Sequence, residues 1–142
     1  MDHVAIMKKE WKFIDKILDG SKTIESRWYE AKRAPWGRIH KEDTIYFKNS
    51  GEVVSAKARV KKILQFSCLT PDVKHILGVY GMDIGIDKKE AAEFFKKFRD
   101  KKYCILIFLK NPRKVKPFQI SKKGFGAMAS WISLKNINHI KI

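Results

Sequence analysis

Three charged side chains in quick succession, Lys22, Glu25 and Arg27, are the residues of this chain best suited to chemistry. They follow Gly20 in the run Gly20-Ser21-Lys22-Thr23-Ile24-Glu25-Ser26-Arg27, where a helix pattern gives way to a short strand pattern. Side chains alternate between the faces of a strand, so Thr23, Glu25 and Arg27 share one face. Lys22 stands at the strand's mouth. A cation beside a carboxylate lowers its pKa, so Arg27 would hold Glu25 ionised and oriented. The alternative is an ion-pair network that pins the helix-strand junction. Surface salt bridges contribute little stability, which leaves three charges at one turn weakly explained by that alternative. The cluster reads as a polar pocket at the end of a sheet.

The elements around it are legible from periodicity. Trp11, Ile14 and Leu18 recur at helical spacing between Lys9 and Asp19, and Gly20 stops that helix. His3 to Met7 supplies a strand before it. Glu30 to Lys41 has no period and contains Ala34-Pro35-Trp36-Gly37, the mark of a long loop. A strand at Asp43 to Phe47 and a turn at Asn49-Ser50-Gly51 precede a long strand from Glu52 to Phe66. There Val54, Ala56, Ala58 and Val60 face one way, and Lys57, Arg59 and Lys61 make a basic stripe on the other. Thr70-Pro71-Asp72 opens a helix through about Tyr80, with a loop from Gly81 to Gly85. Asp87 caps a third helix whose stripe is Ala91, Phe94, Phe95 and Phe98. Tyr103 to Leu109 is apolar on both faces, as in a doubly covered strand. Val115, Phe118 and Ile120 suggest a further strand, at an edge given Pro112 and Pro117.

The octapeptide has the form G-x-K-x-x-E-x-R and, after a short amphipathic helix, resembles the signature of the ASCH domain, within the PUA-like superfamily. Asp43 to Phe47 is similar to that family's G-D-x-I-x-F strand, with Glu42 in place of its glycine. The resemblance runs to about Ile120. It implies an α+β fold, a small, partly open β-barrel with flanking helices. We expect one domain over residues 1–142, its core at about 1–120 and a packed tail at 121–142.

The resemblance also implies that ligands bind at the barrel's cleft. Lys22 would then contact a phosphate or polarise a carbonyl, and Glu25 would accept hydrogen bonds from a base edge or act as a general base. Some relatives resemble amidohydrolases of acylated nucleosides that pair the lysine with a threonine and a downstream glutamate. This chain has Glu25 at that threonine's position, and only Asp83 and Asp87 downstream. Others are nucleases, for which Lys22 and Glu25 would be the catalytic pair. Trp28, Tyr29 and Trp36 flank the region, and Trp36, bracketed by Arg33 and Arg38, is expected to be accessible as a stacking platform. Packing in the core or loop is the bland role for all three. Among the histidines only His40, next to the loop, is a candidate acid or base, and a solvated surface histidine is its expected state.

Charge supplies the second signal. The chain of 142 residues has 31 Lys and Arg against 15 Asp and Glu, a formal net charge of +16. From Lys101 onward there are ten Lys and Arg and no acid. A lysine-rich surface for solubility would intersperse acids. Charge of this size attracts polyanions. The stripe Lys57, Arg59, Lys61 and the cluster Lys110, Arg113, Lys114, Lys116, Lys122, Lys123 form the expected footprint on nucleic acid, RNA before DNA, single-stranded or structured. The runner-up is a small amidohydrolase or nuclease acting on modified nucleosides or RNA. A protein-interaction module would show an exposed apolar patch instead. With no nucleophile motif, phosphate-cradling glycine loop or metal-ligand cluster, no cofactor or metal is expected. No apolar run approaches the ~18 residues of a membrane span. Cys68 and Cys104 make no disulfide framework, so a cytoplasmic protein is expected.

Overall fold

The computed structural model describes residues 1–67 and 70–142. Its six strands are β1 (Asp2–Met7), β2 (Ile24–Tyr29), β3 (Thr44–Asn49), β4 (Val54–Ser67), β5 (Tyr103–Phe118) and β6 (Trp131–Leu134). They form one sheet in the order β2-β5-β4-β3-β1-β6. Among the described residues only the β1–β3 pair is parallel. Three helices, α1 (Phe13–Asp19), α2 (Thr70–Ile84) and α3 (Lys88–Phe98), flank this curled half-barrel. The result is an α+β, partly open β-barrel.

The concave side is filled where the sequence places small and apolar residues in alternation. Ala56, Ala58 and Val60 of β4 meet Ile45 and Phe47 of β3 and Ile105 and Ile107 of β5, and Ile14 and Ile17 of α1 close that layer. Alanine there lets the strands curve tightly without a clash. The opposite face of β2 and β5 carries Ile24, Cys104 and Leu106, covered by Val73, Ile76 and Ile84 of α2 and Phe94 of α3. β5 is thus covered on both sides, which accounts for its unbroken apolar run. A third cluster joins Val4 to Ile132, Ile137 and Ile140 of the tail.

The structure redraws several elements. The Lys9 to Asp19 helix is two pieces: a 3-10 turn at Lys9–Trp11, then α1, with Lys12 between them in the left-handed region at φ 55°. That break swings Trp11 toward α3, edge-on to Phe94 at 5.5 Å. α2 continues past Tyr80 to Ile84, because Ile84 is fully buried and anchors its last turn. The Thr70-Pro71 cap lies outside the described side chains, as does Cys68. Asp87 caps α3 with a reciprocal capping box to Glu90. Ala91 is exposed, so the buried stripe of α3 narrows to its phenylalanines. The separate edge strand near Val115 does not exist: β5 runs on to Phe118. Its ladder to β4 pairs Lys110 and Arg113 and skips Asn111 and Pro112, so the proline sits in a bulge, where no ladder hydrogen bond is lost.

His3 of β1 is fully buried between β3 and β6. The Trp131 indole N–H donates to its Nδ1 at 3.2 Å, the Ser133 hydroxyl lies 2.9 Å from the same atom, and Nε2 meets Asp43 Oδ2 at 2.8 Å. An indole donor facing Nδ1 fixes the neutral imidazole, with Nε2–H toward the carboxylate. Burial pulls the pKa below its ordinary 6.5 despite the pull of Asp43 the other way; the terminal ammonium adds to the lowering and Asp2 opposes it. Only the unfolded chain takes up this proton just below pH 6.5, so stability is expected to fall as pH drops from there toward the lowered folded value. Urea midpoints measured across that window check this, and a flat profile would exclude it.

Candidate functional site

The octapeptide is pinned at its start by backbone bonds. Gly20 ends α1 at φ 86°, and the Lys22 N–H donates to Lys16 O at 3.0 Å. The Thr23 N–H donates to Asp83 O at 2.8 Å, and Thr23 O accepts from the Leu109 N–H at 2.9 Å. These bonds tie the turn to both α2 and β5. Lys22 is thereby directed inward.

Lys22 is 1 % exposed and Glu25 2 %. The sequence reading put Lys22 at the mouth of the pocket, ready to touch a ligand; the structure corrects this. Its ammonium donates to Ile84 O at 2.6 Å and Ile24 O at 2.7 Å, and meets Glu25 Oε1 at 3.1 Å. It also lies 4.2 Å from the centre of the Phe13 ring. A lysine has three N–H donors, and all three are engaged. Gly85 makes room for the stem: a Cβ there would come within 3.2 Å of Lys22 Cβ, and its φ of 95° already favours glycine.

Glu25 is the hinge of the network. Its Oε2 accepts from Arg27 Nη2 at 2.9 Å and Nε at 3.1 Å. Burial raises the carboxyl's pKa, but Lys22 and Arg27 outweigh it and hold the group ionised, below its ordinary 4.5. Arg27 then crosses the open seam of the barrel. Its Nη1 donates to Ser130 O at 3.1 Å and its Nη2 to Ile6 O at 3.3 Å, with the guanidinium 5.1 Å from the Trp131 ring. One arginine thus links β2 to the end of β1 and to the loop entering β6.

A cavity of about 260 Å³ opens at this seam. Glu25, Ser26, Arg27 and Ser130 give it a polar lining, and Trp11, Phe13, Trp28, Phe94 and Phe98 an aromatic one. Trp28 stacks on Phe98 at 5.6 Å, and its indole N–H donates to Ser26 Oγ at 3.0 Å. Tyr29 also lines the cavity, its buried hydroxyl lying beside Ser130 and Arg27. Ile6, Met7, Lys8 and Lys97 complete the lining. Burial first, and then the neighbouring Lys8, lower the Lys97 pKa from 10.5 to about 8.

The sequence reading missed Lys8, Trp11, Phe13, Phe94, Lys97, Phe98 and Ser130. Trp11 and the α3 phenylalanines carried a core signal, and nothing in the sequence distinguishes a core ring from a cavity wall. Trp36 of the Glu30 to Lys41 loop was expected to flank the pocket, but no residue of that loop lines the cavity. Trp36 is half-buried, edge-on to Tyr103 at 5.2 Å, and the Gly37 N–H donates to Gln65 Oε1 at 2.9 Å. The loop therefore packs along β4 and β5 instead. Arg33 and Arg38 are exposed, and Arg33 reaches the Tyr29 ring at 5.6 Å. His40 is exposed. Asp83 is exposed and Asp87 is held in the α3 capping box, so neither joins Lys22 as a third carboxylate. None of Lys57, Arg59, Lys61, Arg113, Lys114 and Lys116 lines the cavity. Lys57 and Arg113 pair on the outer face of β4 and β5, whereas Lys114 is the partner of Ala56 and takes the opposite face of β5. Among the described residues no three His, Cys, Asp or Glu side chains gather as a metal site needs.

Solved structures carry the same architecture over nearly the whole chain. A mutant form of ASCH from Zymomonas mobilis superposes with a TM-score of 0.68 at 17% identity, covering 97% of this chain and 93% of its own. A second structure of ASCH from Zymomonas mobilis gives 0.67 at 18% identity, covering 94% and 87%. The chain has the ASCH-domain fold. The N-terminal domain of Staphylothermus marinus McrB shares that ASCH-like architecture, with a TM-score of 0.65 at 14% identity over 97% of this chain and 90% of its own. No family model and no curated protein matches the chain by sequence. In this ASCH fold, Glu42 adopts φ 74°, the left-handed conformation that suits the glycine its resemblance leads one to expect there. Among the described residues no helix is long and apolar enough to cross a membrane.

Proposed function

We propose that this protein binds nucleic acid, RNA in preference to DNA, by taking an unpaired nucleotide into the seam cavity. The observation that carries the reading is the cavity's division of labour. Aromatic rings offer a base a surface on which to stack, and Glu25, Ser26 and Ser130 offer its edge hydrogen bonds. Glu25 is pre-set as an acceptor, since two cations hold it ionised. Lys8 and Lys97 supply positive charge for the attached phosphate. The net charge of +16 and the outer basic face extend the attraction along the strand. The preference for RNA rests on the resemblance to ASCH and PUA-like domains.

The catalytic alternative draws less support, because Lys22 has no donor left to offer a substrate and neither aspartate approaches it. One observation favours a protein-interaction role: Phe125 and Met128, in the loop before β6, are 39% and 95% exposed. Binding to a panel of single-stranded and duplex RNA and DNA at two salt concentrations, with degradation followed in the same samples, tests the reading. Equal affinity for single strands and duplexes would overturn the cavity's role. Strand cleavage would restore the enzyme.

Lys97 gives the site a pH signature. Above pH 8 its ammonium deprotonates in the folded protein, so affinity for a phosphate-bearing ligand should decline there. Between pH 8 and 10.5 the unfolded chain alone keeps this proton, so stability should rise with pH. NMR titration of the Lys97 side chain, with melts of wild type and Lys97→Met, checks both; a profile shared by the two proteins would exclude the assignment.

A further inference from the structure

The outer face of the sheet contains a second concavity, about 210 Å³, lined by Thr44, Lys57, Ala58, Arg59, Asn111 and Arg113. Among the described residues no carboxylate lines it. Lys57 and Arg113 are direct partners across β4 and β5. Like charges placed opposite one another on neighbouring strands destabilise a sheet. Among the described residues neither side chain has an ion-pair partner, whereas the adjoining Arg59 and Lys110 both meet Glu42.

The backbone shapes a hollow here. The β4–β5 register shifts between Lys57 and Arg59, and Asn111 stands in the left-handed region at φ 53°. Such bulges bend a strand and re-aim side chains. Arg59 pairs with Thr44 on β3, which brings a hydroxyl to the other wall. Two guanidinium forks, an ammonium, an amide and a hydroxyl around one small concavity match a tetrahedral oxyanion, since arginine binds phosphate oxygens in pairs.

We infer that this outer cleft is a phosphate-binding site separate from the seam cavity, and that Lys57 and Arg113 tolerate their mutual repulsion because the anion relieves it. A polynucleotide backbone and a free phosphate compound both supply this chemistry, and only the backbone source rests on the nucleic-acid reading above. Full-length, isotope-labelled protein titrated with inorganic phosphate at constant ionic strength should show saturable shifts at the Asn111 side-chain amide and the Thr44 and Ala58 amides. The double variant Lys57→Gln, Arg113→Gln should lose those shifts. It should also bind a single-stranded oligonucleotide with a log–log salt slope smaller by at least the ~0.7–0.9 expected per phosphate contact.

Both substituted residues lie on the outer face and repel one another, so the variant should fold and melt no lower than wild type in chloride. Phosphate shifts without any change of salt slope would support the site and assign it to a free phosphate compound. Absent shifts in the wild type, or identical shifts in the variant, would overturn it. The cavity is judged separately by Trp11→Ala: if neither variant alters oligonucleotide binding, the nucleic-acid reading fails while the phosphate arm still decides the cleft.

Discussion

Glu25→Leu is expected to destabilise the fold by about 3–5 kcal/mol, the usual cost of leaving buried charge without its partner. The substitution strands Lys22, 1 % exposed and held against Glu25 at 3.1 Å, and removes the carboxylate that anchors Arg27 across the seam. The double variant Lys22→Met, Glu25→Leu should lose less than Glu25→Leu alone, because both members of the buried pair are then apolar. Full recovery is not expected, because Ile24 O and Ile84 O lose their donor. Urea denaturation of wild type, Glu25→Leu, Lys22→Met and the double variant measures the coupling. If Lys22 served a ligand rather than the fold, Lys22→Met would leave the urea midpoint unchanged, and the structural role assigned to it here would fall.

Trp11→Ala should weaken binding to single-stranded nucleic acid by ~1–3 kcal/mol, the value of one stacked base. That is about 5- to 150-fold in affinity. Duplex binding should change far less, because paired bases cannot enter the cavity. Trp11 is half-buried, stacks on Phe13 at 5.8 Å and meets Phe94 edge-on, so thermal melts are needed to show that α3 remains in place. Trp36→Ala provides the contrast. Its ring packs on Tyr103 outside the cavity, so it should lower stability without separating single strands from duplexes. Equal affinity losses on both ligands for Trp11→Ala, or a selective loss for Trp36→Ala, would move the site back to the loop.

The fold was largely legible from short-range pattern. Alternation in β4 separated Ala56, Ala58 and Val60 from Lys57, Arg59 and Lys61, and the sheet buries the first set and leaves the second on its outer face. Asp87 with Glu90 announced the start of α3, because a capping box is a local hydrogen-bond exchange. Signals failed where a distant segment decided the outcome. Gly81 looked like a helix stop, yet burial of Ile84 carries α2 past it. Pro112 looked like a strand end, yet a bulge against β4 absorbs it.

The charged run shows the same division. Its residue types and spacing determined that Glu25 and Arg27 would share a face and pair, because the period of a strand requires it. They could not determine on which side of the protein surface the pair and Lys22 would lie. That depended on Ile84 at the end of α2, Phe13 at the start of α1 and Ser130 before β6, each brought to the turn only by the closing of the sheet. The same closure converted Trp11, Phe94 and Phe98 from apparent core residues into the wall of a cavity. A ring's fate is set by whether the space opposite it is filled, and tertiary packing alone fixes that.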